Sequence, residues 1–128
     1  MNLDGWTHKF TIGGIDCYLK IGTVGFSEWF DYPHLSIGEI CYLDLTISNR
    51  IEEMRAYEVL MELANVAIKN GSRVEDVAAV LRGHKFEPAG VTSNENIPMA
   101  ASICDYIGRY LESKTKKEGT KNGTDKTN

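Results

Sequence analysis

The apolar residues change their period near the middle of the chain, and that change limits the folds open to it. Up to about residue 48 they alternate with polar or mixed residues, as in Ile15-Asp16-Cys17-Tyr18-Leu19-Lys20-Ile21. Period two is the signature of a half-buried strand. His8-Lys9-Phe10-Thr11-Ile12 precedes this run and Gly13-Gly14 joins the two, so residues 8–21 read as a hairpin. Residues 38–48 form a third strand. Between them, residues 22–36 read as a loop carrying Phe26, Trp29, Phe30 and Tyr32, with Pro33 blocking a regular continuation.

From residue 52 the spacing becomes helical. Met54, Tyr57, Met61, Ala64 and Ile68 share one face, and Leu60, Leu63 and Ala67 widen it enough to suit a symmetric self-contact. Asn49 and Glu52 resemble a capping box, and Asn70-Gly71 stops the helix. Ser72-Arg73-Val74-Glu75 is a second capping box, opening a shorter helix that ends at Gly83. Pro98 fits the first turn of a third helix, whose apolar face is Ile103, Ile107, Tyr110 and Leu111. Strands grouped ahead of helices predict an α+β domain: an antiparallel β-sheet from the N-terminal half packed with about three helices from the C-terminal half. A chain of 128 residues suffices for one such core. The expected division is a single domain over 1–113 and a disordered polar tail over 114–128, which has no apolar residue to bury.

A net charge of −4 argues against a polymeric nucleic-acid or anionic-membrane partner, but leaves room for a small anion held by a few groups. No apolar run is long enough to span a membrane, and the N-terminus lacks a secretory pattern, so a cytoplasmic protein is expected. Cys17, Cys41 and Cys104 form no CxxC or Cys/His cluster. They read as small buried hydrophobes, with no metal expected. His8, His34 and His84 are scattered, and no G-x-S-x-G, Walker or H-E-x-x-H pattern occurs, so no catalytic residue is assigned.

The connection over residues 83–96 reads as a binding loop. It places Phe86, Thr92, Asn94 and Asn96 ahead of the expected helix N-terminus at Pro98, where unpaired N–H groups would attract a phosphate. Phe86 offers a flat face to a purine, and Thr and Asn suit base edges, ribose hydroxyls or phosphate oxygens. The plain alternative is that Asn94 and Asn96 only cap a turn and a helix while Phe86 plugs the core. Arg109, with Arg73 or Arg82, is a candidate anion contact. Lying two to three turns into the expected helix, Arg109 would reach a ligand at that N-terminus only from a neighbouring subunit.

Gly83-His84-Lys85-Phe86-Glu87-Pro88-Ala89-Gly90-Val91-Thr92, followed by residues 97–111 with Ile97-Pro98, Ser102-Ile103 and Asp105-Tyr106-Ile107-Gly108-Arg109, resembles a stretch near the C-terminus of adenosylcobalamin-dependent ribonucleotide reductases. The resemblance is specific over about thirty residues and looser over 7–112, and the chain lacks the reductase barrel, radical-forming cysteine pair and cobalamin site. As a small free-standing version of that domain, the chain resembles the phage anti-Thoeris sponge family of anti-defence proteins. That resemblance implies a non-enzymatic, cofactor-free protein of the host cytoplasm. It would bind cyclic ADP-ribose isomers made by TIR-domain enzymes and hide them from the bacterial Thoeris effector. It also implies a homo-dimer or a hexamer built from dimers, with ligand pockets at the dimer interface and, in some members, separate sites for cyclic oligonucleotides. Carried over by motif, Phe86 and Asn96 form the ligand pair and Arg109 contacts phosphate, with Thr92 and Asn94 beside them. The alternative is a free-standing nucleotide-binding regulatory domain of the reductase type.

Overall fold

The computed structural model describes residues 4–49 and 51–119. Strands β1 (Asp4–Ile12), β2 (Ile15–Thr23) and β3 (Ile40–Ile47) form an antiparallel sheet in that order. Gly13 and Gly14 have φ of 56° and 81°, the left-handed pair that a two-residue hairpin turn of this twist requires. Register pairs Phe10 with Cys17, His8 with Leu19 and Trp6 with Ile21, and then Leu19 with Leu45 and Ile21 with Leu43. These residues share one face, and it is the apolar one. The opposite face carries Thr7, Lys9, Asp16, Lys20, Asp44 and Thr46 and meets solvent.

Helices α1 (Ile51–Lys69), α2 (Val74–Leu81) and α3 (Ile103–Gly119) follow. Helix α1 packs along β3, and α2 packs on α3. Asn65 of α1 closes the free edge of β3: its Oδ1 accepts the Leu43 N–H and its Nδ2 donates to the Leu43 carbonyl, both at 2.9 Å. The edge is thereby capped at Leu43, while α1 packs along the rest of the strand. Helix α3 crosses β1 through stacked rings, with Phe10 on Tyr106 at 4.0 Å and His8 on Tyr110 at 3.9 Å between centroids. The α+β architecture expected from the change in period is the one observed.

Local boundaries differ in ways that matter for the site. The cap of α2 is Arg73, one residue later than expected, and its N–H is accepted by the Asp76 carboxylate at 2.9 Å. Asn49 adopts a left-handed φ of 59° and so does not take the extended conformation of a cap. Pro98 does not open a helix. It precedes a short strand, β5 (Met99–Ala100), which pairs with β4 (Gly90–Val91), so the expected loop contains a small hairpin. The third helix starts at Ile103, where Ser102 is the cap: its Oγ accepts the Asp105 N–H at 2.9 Å.

Helix α3 also runs past residue 113 to Gly119, through Lys and Glu residues of good helix propensity. Thr115 Oγ1 donates to the Leu111 and Glu112 carbonyls there. Residues 120–128, the remainder of the expected polar tail, lie outside the described residues. The three cysteines are free and buried, and burial pushes the Cys17 and Cys41 thiols up to about 12 and about 11. They are therefore protonated and inert at neutral pH. No helix among the described residues is long and apolar enough to cross a membrane.

Candidate functional site

The hairpin of β4 and β5 carries the loop 92–98 back against β1 and α3. Ile12 bridges Thr92, the Thr11 N–H donates to Ser93 Oγ at 2.9 Å, and Ser93 N–H donates to the Thr11 carbonyl at 3.2 Å. Thr92 is the internal anchor. Its Oγ1 accepts the Asn94 N–H at 3.0 Å and donates to the Ile97 carbonyl. Asn94 closes the next turn by accepting the Asn96 N–H on Oδ1 at 2.9 Å, an Asx turn. Its Nδ2 donates to the Tyr106 hydroxyl at 3.0 Å, which fastens the loop to α3.

A cavity of about 420 Å³ opens between this loop and α3, lined by Asn94, Asn96, Ile97, Arg109, Tyr110, Ser113 and Lys114. Two cations, two amides, a hydroxyl and an aromatic face converge there, and the lining contains no carboxylate. The chemistry suits a compact polar anion with a ring system. Arg109 is held through Nε to the buried Asp105 carboxylate at 3.2 Å and keeps a 43% exposed side chain. Lys114 Nζ lies 5.3 Å over the Tyr110 ring.

Three of the five residues singled out from sequence meet in this cavity: Asn94, Asn96 and Arg109. Thr92 supports the loop from within. Phe86 does not line the cavity; its backbone N–H donates to the Ala101 carbonyl and its side chain is 47% exposed. It is therefore not the core plug of the plain alternative. Arg73 and Arg82 lie elsewhere, Arg73 bound to both Glu39 oxygens at 2.8 Å and Arg82 to Glu112 at 2.6 Å. Arg109 lines the same cavity as Asn94 and Asn96 within one subunit, because α3 begins at Ile103 and the loop runs beside its second and third turns.

The expected phosphate site at the third helix N-terminus is not formed. The Cys104 N–H is taken by Tyr57 Oη at 2.9 Å and the Asp105 N–H by Ser102. Asp105 is itself the anion of this helix start. It accepts the N–H groups of Gly83 at 2.7 Å and Ala101 at 2.9 Å. Burial alone would raise its pKa, but these donors and Arg109 outweigh burial and hold it below the usual carboxylate range.

Sequence reasoning missed Tyr110, Ser113 and Lys114 as cavity residues. Their signal was helical spacing: Arg109 and Ser113, like Tyr110 and Lys114, are four apart and fall on adjoining faces. It also missed His8, whose Nε2 lies 2.8 Å from the Tyr106 hydroxyl behind the loop. Burial and then the charge of Lys114 hold its pKa below the ordinary histidine value. No group of His, Cys, Asp and Glu among the described residues is placed to hold a metal.

The chain is similar to a segment of vitamin B12-dependent ribonucleotide reductases. The reductase of Streptantibioticus cattleyicolor is 30% identical over 109 residues, which is 84% of this chain and 16% of the reductase. That of Agrobacterium fabrum is 34% identical over 112 residues, again 84% of this chain but 8% of the enzyme. The corresponding segment in Streptomyces coelicolor is 30% identical and makes up 10% of its reductase. The chain thus spans less than a fifth of these relatives, matching a small region of a large enzyme. No family model and no solved structure matches the chain.

Proposed function

We propose that this chain is a ligand-sequestering protein that binds a cyclic ADP-ribose isomer and does not cleave it. The observation that carries the reading is the cavity that joins Asn94 and Asn96 to Arg109 and Lys114. Its volume falls within the roughly 300–1,000 Å³ of ordinary small-molecule sites. Two cations there would face the diphosphate, and the amides would meet ribose or base edges. The resemblance of the chain, as a small free-standing version of that reductase domain, to the anti-Thoeris sponge family supports the same ligand class and, with it, an action in the cytoplasm of a phage-infected host.

Phe86 supports the reading in a second way. It is half-exposed and outside the single-subunit cavity, as a residue completing a pocket from a neighbouring subunit would be. Val59, Leu63 and Val66 of α1 are exposed at helical spacing and supply an apolar face for self-association into a dimer, or a hexamer of dimers.

The similarity to reductase segments favours a second reading, a nucleotide-binding regulatory domain whose ligand is an ordinary nucleotide. Calorimetric titration with cyclic ADP-ribose in competition with ATP and dATP separates the two. Sequestration predicts binding that neither competitor displaces and intact ligand released by heat. Displacement by ATP or dATP supports the regulatory domain, and recovery of a cleaved product contradicts sequestration.

A further inference from the structure

The hydrogen bonds behind the candidate loop have a fixed direction. Asn94 Oδ1 accepts the Asn96 backbone N–H, a donor that cannot be reversed, so the amide presents Nδ2 to Tyr106. The Tyr106 oxygen therefore accepts from Asn94, and its own proton is directed to the one other partner it has among the described residues, His8 Nε2. His8 must then be neutral, with its proton on Nδ1. Its ring is held in place by stacking on Tyr110 at 3.9 Å.

We infer that Tyr106 and His8 are positioning residues for the ligand loop, and that proton uptake on His8 Nε2 releases the 94–96 turn and weakens ligand binding. An Nε2–H would donate to the same Tyr106 oxygen and leave the tyrosine proton without an acceptor. Relief comes by breaking the Asn94–Tyr106 bond or turning the amide over, and turning it withdraws Oδ1 from Asn96. Either route loosens a residue that lines the cavity.

The surroundings of His8 favour the neutral form. From α3 the facing groups are Tyr106, Tyr110 and Lys114; from β2 the cross-strand partner is Leu19, flanked on the same face by Cys17 and Ile21. Within β1 the same face carries Trp6 and Phe10. The charge among these is the lysine cation, which opposes protonation, as does burial. The release therefore occurs as pH falls below the ordinary histidine range near 6.5.

The relay is tested on the free protein, independently of any ligand. Nitrogen-15 spectra should show His8 carrying its proton on Nδ1 at neutral pH, and the exchange protection of the Asn96 amide should fall as His8 titrates. His8→Gln, which can accept the tyrosine proton but cannot become charged, should keep that protection across the same range. Tyr106→Phe should lose it at every pH. A proton on Nε2 at neutral pH, or the same pH curve for wild type and His8→Gln, would overturn the relay. The consequence for binding rests on the proposed function and is read with cyclic ADP-ribose. Affinity should fall about fivefold in Tyr106→Phe, the loss of one hydrogen bond, and His8→Gln should abolish the acid weakening seen in wild type. If cyclic ADP-ribose does not bind at any pH while the Asn96 amide still follows His8, the relay stands and the proposed ligand falls.

Discussion

Asp105, fully buried in the first turn of α3, accepts the backbone N–H of Gly83 at 2.7 Å and so ties the end of α2 to the start of α3. The same carboxylate takes the Ala101 N–H and the Arg109 Nε. One side chain thus fixes Gly83, two residues past α2, Ala101, two residues ahead of α3, and a cavity cation. Asp105→Ala removes the acceptor of both backbone donors and should cost roughly 1–3 kcal/mol in all. Urea unfolding at neutral pH should show that loss.

The acid limb of stability follows from the same carboxylate. Its folded-state pKa is depressed, so the unfolded chain binds more protons between the two values. The stabilisation is complete above the unfolded carboxylate pKa of about 3.9 and is lost as pH falls through the folded value. Asp105→Ala should therefore flatten the decline of stability as pH falls below the unfolded carboxylate value of about 3.9. An unchanged slope would mean that other carboxylates dominate it.

Gly108 allows α2 and α3 to cross closely. A Cβ there would lie 2.7 Å from the Arg82 nitrogen and 2.8 Å from the Ala78 carbonyl oxygen, both backbone atoms. Gly108→Ala should cost about 1–3 kcal/mol through overpacking, despite the better helix propensity of alanine. A melting temperature equal to wild type would contradict this packing.

The sheet and the body of each helix were legible because their signals are repeated. Phe10, Cys17, Leu19, Ile21, Leu43, Leu45 and Ile47 each reinforce one period, and no single residue decides it. The start of α3 was not legible, because Pro98 and Ser102 are both good helix openers and local sequence does not rank them. Tertiary partners decide it, since Ser102 Oγ also donates to the His84 carbonyl and Asp105 reaches Gly83. Asn94, Asn96 and Arg109 are each legible in the sequence as candidates, but their meeting in one subunit depends on where α3 starts. His8 read as an ordinary strand residue because its partners, Tyr106 and Tyr110, lie about a hundred positions away.

Self-association is expected from the exposed Val59, Leu63 and Val66 on α1. Light scattering of the free protein at micromolar concentration should show at least a dimer, and Leu63→Glu should reduce it to a monomer. A wild-type mass of 14.3 kDa would contradict the expectation.

The cavity residues should separate by role. Arg109→Ala and Lys114→Ala should weaken binding of cyclic ADP-ribose, with a charge-assisted bond worth about 1.5–3 kcal/mol. Asn96→Ala should weaken it by about 1 kcal/mol. Phe86→Ala should leave the melting temperature unchanged, because the ring is half-exposed, and should lower affinity in the assembled oligomer. Truncation after residue 113 removes Lys114 from the cavity wall and should weaken binding too. Thermal melts paired with calorimetric titrations read each effect.

The proposed function requires that the cavity between the 92–98 loop and α3 retain an intact nucleotide. The direct measurement is to titrate the protein with cyclic ADP-ribose and its linkage isomers, then denature the complex by heat and identify what is released. Saturable binding of at least one isomer, lost in Arg109→Ala and followed by quantitative recovery of that isomer unchanged, is the predicted result. Failure of every isomer to bind, or recovery of an opened or hydrolysed product, would contradict sequestration at this cavity.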